Sequence, residues 1–128
     1  MQGPDLFEYA VIRVVPRVER EEFINVGVIL FCSKKKFLQF KYEVNESRLL
    51  ALSPELDINE IKEHLQAFEQ ICLGSKQGGA IAQLDMASRF RWLTASRSTV
   101  VQASKVHPGL CGSEMEGKLQ KLFEQLVL

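Results

Sequence analysis

Three stretches near the start of the chain alternate or run apolar in a way that predicts β-strands. Residues 7 to 16 read FEYAVIRVVP, rich in aromatic and β-branched side chains and closed by Pro16. Both of its faces are largely apolar, which suits a strand inside a sheet. Residues 23 to 32 read FINVGVILFC, and strict alternation puts Ile24, Val26, Val28 and Leu30 on one face and Asn25 and Gly27 on the other. Residues 37 to 42 read FLQFKY, with Leu38, Phe40 and Tyr42 together. The connections are short, so these strands are expected to form an antiparallel meander. The turn Lys34-Lys35-Lys36 reads as a solvated tip.

The pattern then changes period. Residues 45 to 52 are expected to form a short helix. A longer helix over 57 to 73 opens on Asp57-x-x-Glu60 and carries Ile58, Ile61, Leu65, Phe68 and Cys72 at helical spacing, with Gly74 after it. Residues 74 to 80 (GSKQGGA) read as a linking loop. Asp85 can cap a helix over 86 to 94, residues 98 to 103 read as a fourth strand, and residues 106 to 112 as a loop. Ser113-x-x-Glu116 reads as a capping box for a last helix through Leu119, Leu122 and Leu126. Strands first and helices after predict an α+β fold. The expected form is a mainly antiparallel sheet of about four strands, an N-terminal meander plus one later strand, with helices packed on one face. It is read as a single domain over residues 1–128.

Composition narrows the function classes. The chain has 128 residues, 16 Lys plus Arg against 16 Asp plus Glu, and 46% hydrophobic side chains. That is globular composition without a global field toward nucleic acid or membrane. No apolar run reaches the ~18 residues that span a bilayer, so no membrane segment is expected. Residues 1 to 6 lack the pattern of a signal peptide. Cys32, Cys72 and Cys111 are far apart in sequence, which argues against a disulfide framework or zinc ribbon and for reduced thiols in the cytoplasm.

No metal-binding or P-loop spacing is present, and no cofactor is expected. Of the two histidines, His107, beside Pro108, is a better candidate than His64 on a helix. Residues 86 to 105 place Arg89, Arg91, Arg97 and Lys105 among Phe90 and Trp92, a pattern that can grip phosphate and stack bases. Four positive charges on a neutral chain leave nucleic acid a lesser reading.

Two clusters resist a purely structural reading. Asn25 and Gly27 are poor strand formers inside an apolar strand. They mark either a β-bulge or a close approach that Asn25 answers with a hydrogen bond. Arg97-Ser98-Thr99 with Gln102 can aim a guanidinium and hydroxyls at an anion. Arg13 lies mid-strand, where an unpaired charge is costly, so Glu22, Glu8 or solvent at an open sheet face is expected to receive it.

The same stretches carry a family likeness. Tyr9 to Pro16 (YAVIRVVP), Glu22 to Leu30 (EFINVGVIL), Phe90 to Gln102, and Val106 to Leu110 resemble the bacterial domain of unknown function 3037 family. The resemblance implies a short cytosolic protein, in some members encoded beside proteins resembling HipA-like kinases, and it carries over no catalytic residue. The leading expectation is therefore a non-enzymatic binding or accessory protein for a protein partner, with a homodimer also open through the sheet edges. The expected contact residues are Arg13, Glu22, Asn25, Gly27, Arg97, Ser98, Gln102 and His107. The rivals are a small-molecule or anion-binding enzyme built on Arg97, Asn25 and Glu22, and a weak nucleic-acid binder through residues 86–105.

Overall fold

β1 (Asp5–Val14), β2 (Ile24–Cys32) and β3 (Phe37–Tyr42) form the expected meander in a computed structural model that describes residues 3–128. Met1 and Gln2, where the expectation about a signal peptide begins, lie outside the described residues. The element order continues with α1 (Glu46–Leu52), α2 (Ile58–Leu73), α3 (Gly79–Ala82), α4 (Met86–Leu93), β4 (Val101–Ala103), β5 (His107–Cys111) and α5 (Met115–Leu126). Among the described residues the result is an α+β fold with an open antiparallel sheet of five strands and five α-helices. The sheet runs β3-β2-β1, and both β4 and β5 lie along the remaining edge of β1.

β5 falls where a loop was expected. Pro108 and Gly109 disguise it, and each is accommodated for a physical reason. β5 pairs only with β1, so the missing amide of Pro108 costs no ladder bond. Gly109 lies under the ring of Phe7, where a Cβ would come within 2.4 Å of the ring carbon Cζ. Between β4 and β5 the edge is kept in register by Ser104. Its amide donates to the Val11 carbonyl at 2.8 Å, and its hydroxyl accepts from the Val11 amide at 2.9 Å.

A register slip shapes β2. Ile12 pairs with Gly27 but Arg13 with Asn25, leaving Val26 as the extra residue of a bulge. The slip inverts the alternation, so Val26 joins Ile29 and Phe31 in one core while Val28, Leu30 and Cys32 face another. Asn25 and Gly27 therefore do not share a face. Helices accordingly cover both sides of the sheet, not one as expected. α1, α2 and α4 pack over Ala10, Ile12, Val14 and Phe40, while Met115, Leu119, Leu122 and Phe123 of α5 pack over Phe7, Val28 and Leu30. Each strand face is apolar enough to need cover.

α2 starts at its Asp57 cap, whose carboxylate accepts from the Glu60 amide at 3.2 Å, and ends at Gly74. The glycine segment after it is a 3-10 turn and the short α3. The capping box of α5 does not form: its N-cap is Glu114, and the Ser113 hydroxyl lies 3.4 Å from the Cys111 thiol. Lys34 and Lys35 reach back to the buried Asp5 at 3.4 and 3.5 Å. Among the described residues, no helix is long and apolar enough to cross a membrane.

Candidate functional site

Arg13, Asn25 and Gln102 form one row across three strands. Arg13 faces Asn25 on β2 and Gln102 on β4, and directly opposed side chains stand about 5 Å apart at Cβ. The row lies on the α5 side of the sheet, since Ile12 and Val14 on either side of Arg13 belong to the opposite core. α5 covers only part of this side. Beyond it is an open hollow of about 420 Å³ lined by Arg13, Val15, Val18, Glu21, Phe23 and Gln102, none of them from α5.

The three polar side chains of the row differ in what satisfies them. The Asn25 amide donates to the Leu126 carbonyl at 3.0 Å, holding the last turn of α5, while its own carbonyl oxygen is buried without a partner. The Gln102 amide donates to the Thr99 carbonyl at 2.8 Å. Arg13 donates no hydrogen bond and has no ion-pair partner among the described residues, and its Nε is buried and unmet. Its guanidinium lies over the Phe23 ring, 4.0 Å from the centroid. A cation–π contact of this kind offsets part of the desolvation but supplies no hydrogen bond. Burial holds the Arg13 guanidinium below its ordinary pKa.

The carboxylates expected to receive Arg13 are engaged elsewhere. Glu8 is held by both terminal nitrogens of Arg91, at 3.0 and 2.9 Å. Glu22 pairs with Arg20 beside a separate cavity near Pro54.

The other expected contact residues are dispersed. Gly27 serves packing: a Cβ there would meet the Phe40 ring at 2.6 Å and the Lys41 carbonyl oxygen at 2.9 Å. Arg97 closes the end of α4, donating to the Trp92 carbonyl at 2.6 Å and lying 4.4 Å over the Trp92 ring. Ser98 is exposed in the following loop. His107 faces Tyr9 across β5 and β1, with ring centroids 5.3 Å apart. Arg97, Asn25 and Glu22 thus do not converge on one ligand. In the 86–105 segment Arg91 makes an exposed ion pair with Glu8, Arg89 reaches the Ala82 carbonyl at 3.5 Å, and Phe90 is a core residue stacked on Phe31.

Four lining residues were not expected from sequence: Val15, Val18, Glu21 and Phe23. Val18 and Phe23 are 48% and 44% exposed, and both sit in the lining of the hollow. Their signal was available, since both are apolar residues at the margins of the charged run RVEREEF.

A family profile described as "Protein of unknown function (DUF3037)" matches residues 9–127. The chain belongs to the DUF3037 family. Its match takes in the whole Arg13 row and all of α5, so the hollow is built from family positions. No curated protein and no solved structure matches the chain.

Proposed function

We propose that this DUF3037 chain acts as one non-enzymatic binding domain, and that a protein partner docks on the open sheet face around Arg13. The observation that carries this reading is the state of Arg13 itself. Among the described residues no acceptor takes the terminal nitrogens of this partly buried cation, so they are free to receive a carboxylate from a partner, while the shut-in Nε stays unmet. The exposed Val18 and Phe23 beside it supply the apolar contact area that anchors such a contact. The family resemblance makes a HipA-like kinase-fold neighbour the first partner to try.

A light-activated cross-linking residue at position 18 of the full chain, expressed in its own cells, tests the reading. The same residue at the exposed position 66 on α2 is the control. The expected result is one discrete adduct from position 18 that is lost with Arg13→Glu. Equal adducts from both positions, or an adduct indifferent to Arg13→Glu, would overturn it.

A further inference from the structure

We infer that the Arg13 hollow receives an acidic side chain flanked by apolar residues on the partner polypeptide. This rests on the proposed docking face and names the chemistry it recognises. The Nε of Arg13 is shut in and Phe23 covers the guanidinium at 4.0 Å, so the two terminal nitrogens form the edge that a ligand can reach. Two parallel N–H groups on one planar edge match the two oxygens of a carboxylate.

The surroundings decide which carboxylate. A chain terminus is commonly captured by clustered backbone amides. Here β1 is paired on both edges at Arg13, with β2 and with β4, so its backbone lies within the sheet ladder. The site offers side-chain donors, which suits an acidic side chain. Val15, Val18 and Phe23 line the hollow beside the cation and favour apolar neighbours on the ligand. Glu21 is also in the lining, and its charge opposes any incoming acid, so only a carboxylate held directly by Arg13 is favoured and additional acids are not. A single carboxylate between apolar side chains meets all three conditions.

Nuclear magnetic resonance titration of the full chain tests this with N-acetyl-Leu-Glu-Leu-amide, its Leu-Gln-Leu counterpart, and inorganic phosphate. The expected result is that the glutamate peptide shifts the Arg13 side-chain Nε–H and Phe23 ring signals. The glutamine peptide should bind about tenfold more weakly or worse, since a charge-assisted bond is replaced by a neutral one. Arg13→Gln, with an otherwise unchanged spectrum, should abolish the difference. Equal binding of the two peptides, no binding of either, or phosphate shifting the same signals at lower concentration would overturn the inference. If the glutamate peptide binds at Arg13 while position 18 yields no adduct, the protein-partner reading fails and the ligand chemistry stands. If position 18 yields an Arg13-dependent adduct but glutamate is not preferred, the partner reading stands and the ligand chemistry fails.

Discussion

Arg13 and Asn25 stand opposite each other across β1 and β2, at the point where the ladder slips by one residue. The slip turns Asn25 toward α5, where its amide holds the Leu126 carbonyl, and leaves Arg13 beside it with no acceptor. One polar side chain of the pair is tied into the fold. The other faces the part of the sheet that α5 does not cover. The bulge that exempts Val26 from the ladder thus positions both the α5 anchor and the open hollow.

Gly27 sits on the far side of the same bulge, and its lack of a side chain is a packing requirement. The Lys41 carbonyl that a Cβ would meet at 2.9 Å is backbone in the neighbouring strand and cannot swing away. Gly27→Ala is expected to destabilise the chain by about 1–3 kcal/mol, as overpacking does. Urea unfolding checks this as a lower midpoint at an unchanged slope. An unchanged midpoint would mean that β3 is free to move, contrary to the packing described.

Cys111 and Cys72 are expected to separate by reactivity. The Ser113 hydroxyl beside Cys111 lowers the Cys111 thiol below its usual range, whereas burial pushes Cys72 up to about 12. The thiolate is the reacting form, so a lowered pKa means more thiolate at a given pH. As pH rises from about 6 to 9, spanning the ordinary thiol range, iodoacetamide should label Cys111 ahead of Cys72 in the folded chain. Ser113→Ala should move the Cys111 profile to higher pH. Peptide mapping by mass spectrometry reads the order, and Cys72 reacting first would contradict the assignment.

Much of this arrangement was legible in the chain. The β-branched and aromatic run FEYAVIRVV and the alternation of FLQFKY mark β1 and β3, and the Asp57 cap and the Ile61-Leu65-Phe68-Cys72 stripe define α2. Arg13 was legible because a charge inside an apolar strand needs an explanation. β5 was hidden because Pro108 and Gly109 are loop residues wherever an edge position and a covering ring do not accommodate them. The second helical layer was hidden by the bulge, since Val26 and Val28 look like one face until the register slips. Arg97 misled for a local reason. Its guanidinium is used by α4's own carbonyls, a few residues back in sequence, and spacing does not reveal which way a side chain turns.

On the proposed reading, Arg13 serves a contact outside the chain and not the stability of the fold. The most direct measurement is the unfolding free energy of Arg13→Met. Methionine keeps a flexible apolar side chain while removing the guanidinium that lies over Phe23 and its unmet Nε donor. The expected change is within about 1 kcal/mol of zero, or a gain in stability, because what is lost is a half-exposed cation–π contact. A loss of about 3 kcal/mol or more, the size seen when a buried charge pair is broken, would show that Arg13 is satisfied within its own molecule and would contradict the account.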